Sequence, residues 1–441
     1  MNNTVRVIGA GLAGCEAAWA LANNGIRVEL YEMKPGRHSP AHKSNGFAEL
    51  VCSNSLKAIR TESAAGLLKA EMRKLGSICL ESAEKNSVPA GGALAVERNA
   101  FSDYITDKIK SHPNIKVIEE CVEKIPDNCI CIVATGPLTD NALAQSISNL
   151  LGSEYLSFYD AAAPIVSFDS INTDKAFYAS RYGRGDASDY INCPLNKEQY
   201  ETFHSELVNA ERAPLHEFDK KISVYEGCMP IEILAARGQD TMRFGPMKPV
   251  GLTDPATGHR PWAVLQLRKE NRQGTMYNLV GFQTNLKFSE QKRVFSLIPA
   301  LENAEFFRYG VMHRNSFIDS PKLLNGDLSL EKNPNIYFAG QITGVEGYME
   351  SAAAGIIAGL NAAMAIKGKS PFILPGETMI GALLEYITDK STQKLQPMGA
   401  SFGVLPPLKE KIKDKKQRYA ALAGRALACL DDYLKKHNIA E

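Results

Sequence analysis

Two cysteines in this 441-residue chain stand where a thiol could do chemistry. Cys52 lies in the polar run Val51-Cys52-Ser53-Asn54-Ser55, and Cys228 in the turn-like Tyr225-Glu226-Gly227-Cys228-Met229-Pro230. A thiolate in such a setting can attack an electron-poor carbon. The same side chain can equally serve as a small hydrophobe. The chain holds nine cysteines, an odd number without Cys-x-x-Cys spacing. That usage argues for reduced thiols in a cytoplasmic setting and against both a disulfide framework and a zinc ribbon, so no metal site is expected. Cys129 and Cys131 have the wrong spacing for a redox dithiol and read as core residues of an apolar strand.

A second chemical signal opens the chain. Val5, Val7 and Ile8 read as a buried strand leading into Gly9-Ala10-Gly11-Leu12-Ala13-Gly14. Gly9 permits a tight turn, Gly11 lets the backbone approach a pyrophosphate, and Gly14 lets a helix pack close on the strand. An alanine-rich helix over 12–24 follows, with Gly25 as its C′ residue. Its first N–H groups, around Ala10, Leu12 and Ala13, face the phosphates. Val28 and Leu30 rebuild a strand that ends at Glu32, eighteen residues after Gly14, where a carboxylate can hold a ribose hydroxyl pair. Together these elements specify a bound dinucleotide.

The elements that must position these groups can be read along the chain. A length of 441 residues calls for two or three domains, and 44% hydrophobic with 22% charged residues is ordinary for a globular enzyme. The net charge of +1 means that a polyanionic partner must be held by a local patch. No signal peptide and no membrane span are expected. Residues 36–60 read as loop, 62–75 and 97–111 as helix, 115–120 and 129–134 as strand, the last ending at Thr135-Gly136. Near the other end, Asn335 to Gln341 reads as a strand reaching Gly340, followed by a helix over 349–367 that directs a second helix N-terminus at the cofactor. The expected fold is therefore α/β, a Rossmann-like FAD-binding domain of the glutathione-reductase kind, made discontinuous by an inserted α+β domain. Its boundaries are placed at 1–165 and 310–441 for the FAD-binding part and 166–309 for the insert. Only one glycine fingerprint exists, so the held cofactor reads as FAD, and a nicotinamide donor must visit without a Rossmann domain of its own.

The motifs above recur beside Leu50-Val51-Cys52-Ser53-Asn54-Ser55-Leu56, Ser180-Arg181-Tyr182-Gly183-Arg184-Gly185, Glu226-Gly227-Cys228-Met229-Pro230 and Arg243-Phe244-Gly245-Pro246-Met247-Lys248-Pro249. To these are added Tyr309-Gly310-Val311-Met312-His313-Arg314-Asn315 and Ala339-Gly340-Gln341-Ile342-Thr343-Gly344-Val345-Glu346-Gly347-Tyr348. This set resembles the folate- and FAD-dependent tRNA (uracil-5-)-methyltransferase family over essentially the whole chain. Gln341 departs from the Asp of disulfide reductases but agrees with the tRNA-modifying flavoproteins.

The resemblance implies C5-methylation of a uracil in tRNA, in the T-loop, with methylenetetrahydrofolate as carbon donor, FAD as carrier and reductant, and NAD(P)H as electron source. It implies that Cys52 or Cys228 adds to uracil C6, the other assisting, and that Tyr348 handles a proton or orients the substrate unless it only packs the FAD site. His313 would stack on the pterin or be structural. Arg181 and Arg184, in a glycine-flanked loop, would meet the RNA backbone. The basic run Lys409, Lys411, Lys413, Lys415, Lys416 and Arg418 is either a second such patch or a solvated helix face. The rival readings are the same chemistry on ribosomal RNA, an FAD-dependent NAD(P)H oxidoreductase acting on a small molecule, or a flavin-bearing RNA-binding protein without catalysis.

Overall fold

The computed structural model describes residues 4–437 except 40, 153–154, 162, 184–185, 214–228, 271–273, 311, 393–394 and 411, and leaves aside the side chains of 155–161, 187 and 312–315. Cys228, Arg184 and Lys411 thus lie outside the described residues, as does the side chain of His313.

Six strands make the first sheet, in the order Ser329–Leu330, Asn333–Phe338, Cys131–Val133, Thr4–Ile8, Arg27–Glu32 and Ile115–Glu119. All neighbours run parallel except the antiparallel edge pair Ser329–Leu330 and Asn333–Phe338. Parallel strands are covered on both faces and so are apolar throughout, as Val5, Val7, Cys131, Ile132, Val133 and Phe338 are here. The sheet joins strands from both ends of the chain, which makes this Rossmann-like unit discontinuous.

Two helices close one face of it. Leu12–Asn23 and Tyr348–Ile366 lie so near each other that a Cβ on Gly355 would meet the carbonyl oxygen of Ala13 at 2.2 Å, and one on Gly359 the carbonyl oxygen of Ala17 at 2.6 Å. Small residues on both helices permit this backbone-to-backbone approach. Tyr348–Ile366 is long and apolar enough to cross a membrane by length and composition, yet it is mostly buried against its neighbours. Gly355→Val must push the helices apart against backbone rather than side chain, an overpacking cost of roughly 1–3 kcal/mol. It is expected to lower the melting temperature by several degrees, and an unchanged calorimetric transition would show that the contact is dispensable.

The second sheet holds the inserted α+β domain. Its order is Phe177–Tyr178, Tyr190–Leu195, Ala263–Lys269, Met276–Leu279, Ile165–Ser167 and Phe306–Arg308, antiparallel throughout. Lys197–Asn209 and Phe288–Phe295 are among the helices of its apolar core, where Phe203 stacks on Phe282 and Phe282 meets Phe295 edge-on. The chain leaves the first sheet along Tyr155–Ala161 and returns along Met312–Ile318, an antiparallel ribbon in which His313 stands opposite Asp160.

Three features differ from the sequence reading. Within the stretch 36–60, Ser55–Ala58 forms a strand of a small three-stranded sheet with Ser87–Val88 and Ala93–Val96. A helix over Ile78–Lys85 was not foreseen; the Ser77 hydroxyl caps it by accepting from Leu80 N–H at 3.1 Å. Of the C-terminal basic run, Lys409 and Lys413 lie in irregular chain, and Lys415, Lys416 and Arg418 open the Lys415–Lys436 helix, with Asp414 as N-cap.

Candidate active site

The parallel strands deliver their C-terminal ends to one cleft, as open α/β sheets do. Gly9 follows Ile8, Glu32 ends its strand, Glu120 follows Glu119, Ala134 to Gly136 follow Val133, and Gly340 with Gln341 follows Phe338; all of them line the cleft. It contains about 1130 Å³ of empty space, including its open mouth. Ala10, Gly11, Leu12 and Ala13 form part of its wall.

The glycines divide by task. Gly9 has φ +98°, and a Cβ there would lie 2.8 Å from the carbonyl oxygen of Ala134. A Cβ on Gly14 would fall 1.7 Å from the Gly9 carbonyl oxygen, so this residue fits the first helix to its strand. A Cβ on Gly11 would meet nothing within 4 Å, although Gly11 itself lines the cleft. The backbone there is bared toward a ligand. Gly11 and Gly347 are the N-cap residues of the two close-packed helices, and neither N-terminus has a side-chain cap among the described residues. Unpaired first-turn N–H groups form anion sites. Glu32 accepts from Ala10 N–H at 2.8 Å and Lys34 N–H at 3.1 Å, which ties the glycine loop to the second strand and leaves lone pairs for ribose hydroxyls. These features fit FAD, whose pyrophosphate would be held at the first helix.

Cys52 stands at the Tyr348 end of the cleft. Tyr348, the first residue of the second cleft helix, brings its hydroxyl to 2.9 Å from Cys52 Sγ. The same oxygen accepts from the N–H of Cys52 at 2.8 Å and of Ser53 at 3.3 Å. A phenol oxygen has two lone pairs and one proton. With both lone pairs engaged, the proton is left for the sulfur. Burial, reinforced by charge on Cys52, holds the Tyr348 hydroxyl well above its ordinary range, so it stays protonated and acts as a donor.

Sequence reasoning missed the groups behind this pair. The guanidinium of Arg308 donates to the carbonyls of Val51 at 3.1 Å and Cys52 at 3.3 Å. Arg98 donates to the Leu50 carbonyl and pairs with Glu270. Arg268 reaches Ser53 Oγ at 2.9 Å and Asn54 Oδ1 at 2.9 Å. His42 also lines the cleft, and burial keeps its ring below the usual histidine range and thus neutral. A loop segment dense in polar residues was the only local signal.

Arg181 stands apart from this cleft. Its Nε donates to Gln266 Oε1 at 2.7 Å and its Nη1 to the carbonyls of Lys248 and Val250, so it binds two loops of the insert together. Cys131 is fully buried in the first sheet, and burial pushes its thiol far up. Lys409, Lys413, Lys415, Lys416 and Arg418 are exposed.

Known proteins bear on this arrangement. The family model described as glucose inhibited division protein A matches residues 4–370. A protein of Acetivibrio thermocellus named methylenetetrahydrofolate–tRNA-(uracil-5-)-methyltransferase TrmFO is 58% identical over 99% of this chain and 100% of its own length. Proteins of the same name from Desulforamulus reducens and Enterococcus faecalis are each 56% identical, covering 100% and 97% of this chain and 99% and 98% of their own. The solved structure of Aquifex aeolicus GidA superposes with a TM-score of 0.69 at 16% identity, over 98% of this chain and 73% of that one, a likeness of fold. A glycine cradle fitted to FAD, a cysteine held against Tyr348 at its rim and full-length identity above one half lead to one assignment: the chain belongs to the methylenetetrahydrofolate–tRNA-(uracil-5-)-methyltransferase family, within the wider group of glucose inhibited division protein A.

Proposed function

We propose that the chain methylates C5 of a uracil in tRNA, the T-loop uracil, using methylenetetrahydrofolate as carbon donor and NAD(P)H as electron source. The observation that carries this reading is the Cys52–Tyr348 pair at the rim of a cleft whose glycines suit FAD. The working arrangement is a cytoplasmic flavoprotein of two parts, residues 1–165 with 310–441 around FAD, and 166–309 facing the substrate. FAD, when bound, supplies the redox and one-carbon-carrier chemistry that amino-acid side chains lack.

The chain's own residues supply the rest. Uracil C5 becomes nucleophilic only after a thiolate adds at C6, a task for Cys52 or Cys228. The Tyr348 hydroxyl holds its proton toward Cys52 Sγ and stabilises negative charge there. The target base must leave its stack to reach the cleft, and His313, Arg181, Arg184 and the C-terminal basic run are the candidates for folate and RNA contacts.

Incubation of the FAD-loaded protein with methylenetetrahydrofolate, NAD(P)H and unmodified tRNA should yield 5-methyluridine at a single mapped position. Label arriving from adenosylmethionine instead of the folate would sink the reading. Tyr348→Phe keeps the ring and loses the proton; it should retain FAD and lose roughly 10²-fold in methylation rate. A rate within twofold of the parent would reduce Tyr348 to packing.

A further inference from the structure

Five consecutive residues around Cys52 are held by three guanidinium groups. Arg98 takes the Leu50 carbonyl, Arg308 the carbonyls of Val51 and Cys52, and Arg268 the side chains of Ser53 and Asn54. Arg268 and Arg308 belong to the second sheet, the latter on its edge strand Phe306–Arg308. Arg98, on the first part of the chain, is itself paired with Glu270, which follows the second sheet's strand Ala263–Lys269. The loop that carries the thiol is thus shaped by the inserted domain.

The charges around the sulfur are unbalanced. Arg98 and Arg308 both lie within electrostatic reach of Cys52 and of Tyr348, and Glu270 is the acidic group among them. Lys57 and Glu350, on the strand and the helix that adjoin the pair, neutralise each other at 2.7 Å. Arg98 Nη2 and Arg308 Nε are buried without a hydrogen-bond partner among the described residues, as is Glu270 Oε2. Cations in a dry enclave with donors to spare favour an anion beside them.

We propose that Arg308 is a positioning residue for Cys52: by seating this guanidinium under the Cys52 loop, the inserted domain keeps the sulfur in its anionic, reactive form. The proton leaves for solvent, and the charge on Sγ then faces the Tyr348 O–H, Arg98 and Arg308. Docking of the insert and readiness of the thiol become one event, so a chain whose insert is displaced carries an unreactive Cys52. The inference rests on the reading of Cys52 as a working thiol, but its test does not require methylation.

The measurement is the pH profile of Cys52 alkylation by iodoacetamide in the FAD-loaded full chain, read on the Cys52 peptide by mass spectrometry. R308Q should move the midpoint up by about one unit, so that alkylation at neutral pH slows about tenfold. E270Q removes the negative charge among the arginines and should move the midpoint down. Opposite displacements are not expected of residues that only hold two domains together. If R308Q keeps its FAD and its midpoint coincides with the parent's, the proposal is overturned, whatever happens to the melting temperature. If R308Q does not retain FAD, E270Q decides: a lowered midpoint sustains the proposal, and an unmoved or raised one overturns it.

Discussion

Gly11→Val is expected to fold and to emerge from purification colourless. Gly11 has extended backbone, φ −74° and ψ −172°, which any residue adopts, and a Cβ there meets no protein atom within 4 Å. The added isopropyl group therefore costs the protein little. It projects into the cleft where the pyrophosphate approaches the backbone, and FAD affinity should fall by on the order of 100-fold or more, about 3 kcal/mol. Gly14→Ala makes the contrast. Its methyl would lie 1.7 Å from the Gly9 carbonyl oxygen, so that variant should lose stability together with cofactor. Flavin absorbance per chain and the thermal transition, measured on both variants, separate the two. Normal FAD content in Gly11→Val would contradict the placement of the pyrophosphate.

Cys52→Ala and Cys228→Ala are each expected to keep fold and FAD and to lose methyl transfer by at least roughly 10³-fold. No neighbouring group replaces a nucleophile that must add to C6 and later leave. Cys131→Ala should keep most activity, because that thiol is sealed in the first sheet with its ionisation suppressed by burial. In tRNA carrying 5-fluorouridine, proton loss from C5 is blocked, so the parent should accumulate a covalent protein–RNA complex. The complex should vanish in whichever alanine variant lacks the attacking sulfur, which assigns the two roles. Methylation by both variants at near the parent rate would end the thiol mechanism and favour a small-molecule oxidoreductase.

The first glycine motif was legible because its constraints are local. Gly9, Gly11 and Gly14 act within six residues, and strand, helix and Glu32 follow at fixed spacing. The return of the chain at Gly340 was legible for the same reason. What encloses Cys52 was not. Tyr348 was legible as a candidate beside the second helix, but not its contact with Cys52, 296 residues away; Arg308 is 256 residues away and carries no local mark that separates it from the other basic residues. Gly355 and Gly359 sit in a helix that composition announced, but only the partner helix reveals why they lack side chains. The Ser55–Ala58 strand escaped because Leu56 is its one fully buried side chain, too short a pattern to show alternation.

The pairing of Leu12–Asn23 with Tyr348–Ile366 also sets a timetable for synthesis. The helix that covers the first helix and completes the cleft is made more than 300 residues after the glycine loop. At ~5–20 residues per second, that interval is some tens of seconds. Throughout it, the small-residue face of the first helix has no native partner, and the strand Cys131–Val133 lacks the neighbour Asn333–Phe338 that will flank it. The complete cleft, with both of its helices, therefore exists only once translation has run past Tyr348–Ile366.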